Sequence, residues 1–291
     1  MGDFFKALSD GLARFVLAWI VPSTVVVGYF VFLVLRPSPP SSNALVSAAF
    51  FALAVLTGAV FLAYTSLPIY RFLEGYSLPR WAAQRLRRRR MCEWQRLNRL
   101  SELGDRLPDY QLVNEQLSYY PAKRDEVLPT RLGNALRAME GYGGDRYGLD
   151  SQTFWYELQA VAPANLRRDT EDGRASVDFF ICSLSYLVGL AVACVVVSVV
   201  RQDPIPLLSA AGAVALTPLA YNAAVRNVVE WRSSVQALVN IGRRDLALRL
   251  GLKLPGTFSE ERAMWERATD FVNYGNVDDY LRFLNGYRQR G

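Results

Sequence analysis

Residues 177–200 read VDFFICSLSYLVGLAVACVVVSVV, and a single charged side chain, Asp178, interrupts this apolar run. A bilayer core of about 30 Å needs about 20 helical residues, because an α-helix rises about 1.5 Å per residue. This stretch is therefore long enough to cross a membrane as one helix. A helix is also the structure it must adopt there, since lipid offers no partners for free backbone groups.

Three further stretches have the same character, at residues 15–35, 45–64 and 207–225, and none of them carries a charge. All other charged residues lie outside these stretches, although 51% of the whole chain is hydrophobic, as in ordinary globular proteins. An ordinary soluble fold is excluded, because its elements all carry charge. No useful β alternation appears elsewhere, so we expect an all-α membrane protein with four transmembrane helices.

The four apolar stretches fall into two pairs. Residues 36–43 and 201–206 separate the members of each pair, and both are short and rich in proline. Each pair is therefore expected to form a helical hairpin. The predicted organisation is an amphipathic N-terminal helix (1–14), a first transmembrane hairpin (15–64), a cytosolic helical domain (65–176), a second hairpin (177–225) and a cytosolic helical tail (226–291).

The basic residues predict the orientation of the chain. The two hairpin loops carry only Arg36 and Arg201, whereas residues 65–176 carry 18 arginines and lysines and residues 226–291 carry 11. Basic segments next to membrane helices stay in the cytosol. We therefore expect both termini and the central segment to lie in the cytosol.

Several kinds of chemistry are excluded by composition. The chain has no histidine, and its three cysteines, Cys92, Cys182 and Cys194, form no C-x-x-C pair. Imidazole bases and histidine metal ligands are absent, and no catalytic motif with a nucleophile or a carboxylate pair is visible. We expect neither an enzyme nor a metal or cofactor site.

The strongest charge feature is an arginine run about twenty residues beyond the second apolar stretch. Lipid headgroups are one interpretation, because basic clusters near membrane helices attract anionic lipid. An anionic ligand such as a nucleotide is another, with Trp81, Trp94 or Tyr76 stacking on a base. Lipid is favoured over nucleic acid, since basic residues beside spans are expected in any case. The predicted binding residues are Arg85, Arg87, Arg88, Arg89 and Arg90.

Within the spans, small residues and prolines are the features that stand out. Small residues at helical spacing permit close helix packing, either inside one bundle or between subunits of a homo-oligomer. Prolines are expected to kink helices, and nearby polar groups either satisfy freed carbonyls or line a narrow polar path. The packing positions are Ala54, Gly58, Ser185, Gly189, Ala193 and Gly212; the kink or pore positions are Pro22, Ser23, Thr24, Thr217, Pro218 and Asn222.

Helices are also expected outside the spans, at 79–103, 109–120, 131–140, 152–161 and 258–273, and the fourth span should continue to about residue 250. Thr257 and Glu260 match a capping box. The glycines of residues 141–144 predict a turn that ends the third of these helices. The first helix is expected to have one apolar seam made of Leu86, Trp94, Leu97, Leu100 and Leu103.

The segment Leu128-Pro-Thr-Arg-Leu-Gly-Asn134, followed by Arg146-Tyr-Gly-Leu-Asp150 and Phe154-Trp155, resembles a segment of uncharacterised four-pass actinobacterial membrane proteins. The resemblance covers about thirty residues and brings no catalytic motif with it. It implies a bacterial inner-membrane origin and no activity.

Two functions follow as hypotheses. The first is an oligomeric channel or pore-like effector, controlled by its cytosolic helices. The second is a membrane-anchored scaffold that recruits a cytosolic protein, a nucleotide or anionic lipid through its arginines. The channel is the leading hypothesis, because kinked spans with small residues occur together with cytosolic segments that are too long to be simple connections.

Overall fold

The computed structural model describes residues 10–35, 44–104, 108–274 and 277–288. The described chain is all-helical, and its only β pairing is an isolated bridge between Leu252 and Arg288. In chain order the helices are α1 (Asp10–Phe32), α2 (Ala44–Tyr64), α3 (Ser66–Glu74), α4 (Arg80–Glu102), α5 (Tyr110–Leu117), α6 (Arg131–Glu140), α7 (Tyr142–Tyr147), α8 (Trp155–Val161), α9 (Ala164–Arg201), α10 (Ile205–Arg249), α11 (Phe258–Asn273) and α12 (Val277–Asn285).

Four of these helices, α1, α2, α9 and α10, are long and apolar enough to cross a membrane. They coincide with the four apolar stretches of the sequence, the first of which ends in a π-helical segment, Phe30–Leu35, so this part of the expectation is confirmed. Helices α9 and α10, with 38 and 45 residues, extend well beyond the apolar stretches they contain. The N-terminal helix expected over 1–14 lies mostly outside the described residues, as does the loop at 36–43.

The chain divides into two compact units. The first unit comprises Met1–Arg71 and Asp172–Asn227, and the second comprises Phe72–Glu171 and Val228–Gly291. In the first unit, small side chains of α1, α2 and α9 pack closely, with Ala18, Ala59 and Cys182 buried together. A second buried group joins α9 to α10 through Cys194 and Ala213.

The second unit has its own hydrophobic core, built by α8, α10 and α11. Trp265 is fully buried there and lies edge-on to Phe154, with 5.9 Å between the ring centres. Burying an aromatic ring of this size stabilises a fold by roughly 2–3 kcal/mol. A separate apolar cluster joins α4, α5 and the segment that follows them, and Leu97 and Val127 are buried in it.

Several helix ends follow from local sequence signals. Helix α4 ends just before Gly104, which adopts a left-handed φ of 58° that glycine permits without strain. The Thr257 hydroxyl accepts a hydrogen bond from the Glu260 backbone N–H, as a capping box requires. The predicted helices at 79–103, 131–140 and 258–273 are therefore confirmed. Helix α5 ends three residues earlier than expected, and α8 begins three residues later.

The predicted glycine turn at 141–144 is wrong, because these residues lie in or beside α7. Two glycines of this region, Gly143 and Gly148, are needed for close packing. A Cβ on Gly143 would collide with the carbonyl oxygen of Leu149, and one on Gly148 would collide with that of Arg262. Gly148 also ends α7 with a left-handed φ of 75°. Tertiary packing here overrides the weak helix propensity of glycine.

Residues 128–134 form a local folding motif. The Asn134 side chain is buried; its Oδ1 accepts from the Leu128 N–H at 2.7 Å and its Nδ2 donates to the Thr130 carbonyl at 2.7 Å. A Cβ on Gly133 would lie 2.6 Å from the Glu74 carbonyl oxygen. These residues therefore start α6 and hold it against the end of α3.

Candidate functional site

Two of the five predicted arginines of α4 form hydrogen bonds within the second unit. Arg87 donates from Nε to the Val127 carbonyl at 2.8 Å and from Nη2 to the Asp125 carbonyl at 2.5 Å. Arg90 donates to the Glu93 carboxylate at 2.7 Å. Both side chains therefore stabilise the fold and are not free to bind a ligand.

The other three predicted arginines lie on a different face of α4. Arg85, Arg88 and Arg89 are exposed, and spacings of three, four and seven residues place Arg96 and Arg99 on the same face. We call Arg85, Arg88, Arg89, Arg96 and Arg99 the arginine face. None of the five forms a hydrogen bond or an ion pair with the described part of the chain. The face extends about 21 Å along the helix axis.

Sequence reasoning missed Arg96 and Arg99, because residues 91–95 separate them from the arginine run. Helical spacing alone separates the two sets of arginines. Positions 85, 88, 89, 96 and 99 share one side of an α-helix, whereas 87 and 90 point away from it. That periodicity was the available signal.

Apolar side chains flank the arginine face at both ends. Trp81 is 74% exposed at the N-terminal end, and Leu103 is 49% exposed at the other end. The prediction that Leu103 joins the apolar seam of α4 is therefore wrong. Leu97, Trp94 and Leu100 do pack in the apolar cluster between α4 and α5. Cys92 is exposed between the arginines, beside a shallow recess of about 420 Å³ that Arg96, Arg99 and Leu103 help to line. Closely spaced guanidinium groups of this kind bind phosphate oxygens.

The small residues predicted for helix packing fall into two groups. Gly58 is in contact inside the chain, because a Cβ there would lie 2.5 Å from the Tyr186 hydroxyl. Gly189 and Gly212 are exposed, and a Cβ on either would meet nothing within 4 Å. Ala54 is exposed as well, and Ser185 and Ala193 are half-buried.

The hydroxyl groups near the two prolines form hydrogen bonds within their own helices. Pro22 follows a π-helical turn at Val16–Ile20, whereas Pro218 lies inside regular α10. Ser23 and Thr24 lie on different sides of α1, one buried and the other exposed, and Asn222 is exposed on α10. The hydroxyls donate to carbonyls four residues earlier: Ser23 to Trp19 at 2.6 Å, Thr24 to Ile20 at 2.8 Å and Thr217 to Ala213 at 2.9 Å.

The one charged residue of the apolar stretches is held by neighbours in the first unit. The Asp178 carboxylate accepts a hydrogen bond from the Tyr70 hydroxyl at 2.7 Å, and Arg174 lies 3.9 Å away. Over the described ranges, no group of three or more His, Cys, Asp or Glu side chains is placed to hold a metal ion.

No protein-family model, curated protein or solved structure matches this chain.

Proposed function

We propose that this chain is a multi-pass protein of the bacterial inner membrane, with residues 15–64 and 177–225 forming two transmembrane hairpins. Four sufficiently long apolar helices support this topology. The distribution of basic residues supports a cytosolic location for both termini and for residues 65–176.

In this arrangement the protein acts as a membrane-anchored scaffold, and its arginine face binds anionic lipid headgroups. The observation that carries this proposal is the arginine face itself: five exposed guanidinium groups on one side of α4 without partners in the described chain. Each basic residue near an anionic membrane contributes about 1 kcal/mol of binding free energy. Five of them attract the helix strongly to phosphatidylglycerol or cardiolipin.

A lipid surface fits this face better than RNA does. Trp81 and Leu103 lie exposed at its two ends, and exposed apolar side chains beside basic residues are suited to insertion among lipid headgroups. Binding of single-stranded RNA relies on aromatic rings placed between the basic residues, so that successive bases stack on them. On the arginine face the residue midway between Arg89 and Arg96 is Cys92, because Trp94 packs against the apolar cluster on another side of α4.

Cys92 supplies a native reporter for the test, because it is exposed on this face while Cys182 and Cys194 are buried. The full chain is reconstituted in nanodiscs of phosphatidylcholine, with or without phosphatidylglycerol, and labelled with an uncharged maleimide. Labelling of Cys92 is expected to slow severalfold in the anionic discs. The triple variant R88Q/R89Q/R96Q should remove that protection, because its lipid affinity falls on the order of 100-fold.

A matched control is R244Q/R249Q/R262Q, which removes three arginines of the second unit that lie off the arginine face. It should label like the unmodified chain in both kinds of disc. Equal labelling of the unmodified chain in neutral and anionic discs would refute lipid binding. Protection by an added oligonucleotide in neutral discs, without protection by phosphatidylglycerol, would indicate a nucleic-acid ligand instead.

An oligomeric channel is the second candidate, and one observation favours it. Gly189 and Gly212 are exposed with open space around them, so a helix of another copy can approach each closely. The mass of the complex in detergent tests this: a homo-oligomer that becomes a monomer in G189L/G212L supports association of copies. A pore additionally requires ion flux from liposomes, and a monomeric mass would exclude it, since the hydroxyls of Ser23, Thr24 and Thr217 are bonded to their own helices.

A further inference from the structure

The second unit contains a cavity of about 500 Å³, and no residue of the arginine face lines it. Ligand pockets in proteins have volumes of roughly 300–1,000 Å³, so the cavity is large enough for a metabolite. The lining includes two arginines, two amides and three aromatic residues: Arg146, Arg232, Asn98, Asn114, Trp94, Tyr120 and Tyr142.

Arg232 is a half-buried cation without an acidic partner. Its Nη1 donates to the Ser118 backbone carbonyl, and the amide of Gln236 lies 2.7 Å from its Nε. Both partners are neutral, and no described carboxylate lies within ion-pair distance of Arg232. Burial lowers the pKa of Arg232 and the positive charge of Arg146 lowers it further, whereas Tyr142 and the more distant Asp145 carboxylate offset this only in part. The guanidinium nevertheless stays charged at neutral pH, so an anion in the cavity would relieve an unfavourable charge.

Arg146 supplies a second positive charge. It is exposed and forms no ion pair with the described residues. Asp145 also lines the cavity, but its carboxylate lies 3.4 Å from the Lys123 ammonium group. Since the one lining carboxylate is already paired, the cavity keeps an excess of positive charge.

The aromatic and amide groups favour a ligand with a planar base. Trp94 and Tyr142 have their polar atoms bonded elsewhere, Nε1 to the Pro121 carbonyl at 3.0 Å and the hydroxyl to Asn240 at 3.0 Å. Their rings therefore meet the cavity as apolar surfaces. The Asn98 Nδ2 and Asn114 Oδ1 atoms are engaged within the described chain, which leaves one amide acceptor and one amide donor for a ligand.

We propose that this cavity binds a nucleoside phosphate, with Arg146 and Arg232 on the phosphate oxygens and Trp94 and Tyr142 against the base. Guanidinium groups form charge-assisted hydrogen bonds to phosphate, and base stacking on aromatic side chains is favourable for every base. Neither the lipid-binding scaffold nor the channel is needed for this proposal, which uses a separate set of residues.

The test is calorimetric titration of the full chain in detergent with ATP, pyrophosphate and adenosine as probes. ATP is expected to bind, pyrophosphate to bind more weakly and adenosine to bind weakest. R146Q is the leading variant, because Arg146 is exposed and its loss should leave the fold intact. It should weaken ATP binding at least tenfold, as should R232Q. R249Q removes an exposed arginine of α10 that does not line the cavity, and it should bind ATP like the unmodified chain.

Each other outcome counts against the proposal. Absence of ATP binding at millimolar concentration refutes it. Pyrophosphate that binds as tightly as ATP refutes the nucleoside part and leaves a plain phosphate site. ATP binding that survives R146Q and R232Q but is lost in R88Q/R89Q places the anion on the arginine face instead, and the lipid experiment above is unaffected by that result.

Discussion

Arg232 and Arg243 lie about three turns apart on α10, and both contact residues of other elements in the second unit, yet their environments differ. Arg243 is 8% exposed and forms an ion pair with Glu261, which is 4% exposed. The Trp265 Nε1–H donates to the same carboxylate at 3.3 Å, and the Tyr147 ring centre lies 4.3 Å from the guanidinium carbon of Arg243. The hydrogen-bonding partners of Arg232 are neutral, namely the Ser118 carbonyl and the Gln236 amide, and Asp145 lies beyond ion-pair distance.

The difference separates a structural arginine from a binding arginine. A buried charge that is paired and fully surrounded belongs to the fold, because removing its partner leaves an uncompensated charge. A half-buried charge with neutral partners beside a cavity can accept an external anion at little structural cost. The same division recurs on α4, where Arg87 is bonded to two carbonyls and Arg88 is free of partners in the described chain.

The largest expected effect comes from removing the partner of Arg243. Glu261→Leu should lower the free energy of unfolding by about 3–5 kcal/mol, because it leaves the Arg243 charge buried and unpaired. Thermal unfolding of the full chain in detergent, followed by near-UV circular dichroism, measures this. The double variant R243M/E261L should recover most of the loss. Glu266→Leu is the control, since Glu266 belongs to an exposed pair with Arg262 and should cost no more than about 1 kcal/mol. A small effect of Glu261→Leu would show that Arg243 does not depend on its partner.

The next largest effect is expected when Arg232 is given a nearby carboxylate, as Arg243 has. Asn114→Asp adds a carboxylate to the cavity wall without changing the side-chain shape. It should weaken ATP binding at least tenfold in calorimetry, because it supplies an internal anion that competes with the ligand. Gln116→Glu adds the same charge to the same helix at an exposed position that does not line the cavity, and it should leave binding unchanged. Equal effects of the two variants would mean that overall charge, not the cavity, controls binding.

A smaller contrast is expected between neighbouring arginines of α4. Arg87→Gln should destabilise the protein by about 1–3 kcal/mol, because two hydrogen bonds from a charged donor are lost. Arg88→Gln should change stability by less than about 0.5 kcal/mol, as exposed substitutions usually do. Midpoints of thermal unfolding for the two variants, compared under one set of conditions, check the difference. If both variants are equally stable, the Arg87 contacts contribute nothing measurable.

The smallest expected effect concerns the pKa of Glu140, which burial raises more than the neighbouring Arg137 lowers it. Burial raises the pKa of Glu140, and Arg137, at 3.7 Å, offsets this only in part. The folded state therefore binds the proton more tightly than the unfolded state, and stability falls as the pH rises from about 4 through the raised pKa. Glu140→Gln removes this dependence, so its advantage in melting temperature over the unmodified chain should grow between pH 4 and neutral pH. A difference that is constant with pH would contradict the assignment.

The sequence predicted the helices better than it predicted the roles of individual arginines. The lengths of the apolar stretches predicted the four long helices. Local signals at Thr257 and Gly104 predicted one end each of two other helices. Helix α7 was missed, because the packing of Gly143 and Gly148 depends on Leu149 and Arg262 rather than on local propensity. Arg232 could not be recognised either, since its lack of an acidic partner is a property of the folded second unit. Arg96 and Arg99, by contrast, were within reach of helical periodicity.

Lys123 forms an ion pair with Asp145, which lines the cavity, so its chemical reactivity can be used to probe the cavity wall. The chain contains only three lysines, at positions 6, 123 and 253, so an amine-reactive reagent has very few targets. Burial disfavours the charged ammonium group, but Asp145 and Glu126 outweigh this and raise the pKa of Lys123, which reduces the fraction of reactive free amine. Acylation of Lys123, read by mass spectrometry against Lys253 as an internal reference, therefore reports on the wall of the cavity without any engineered label.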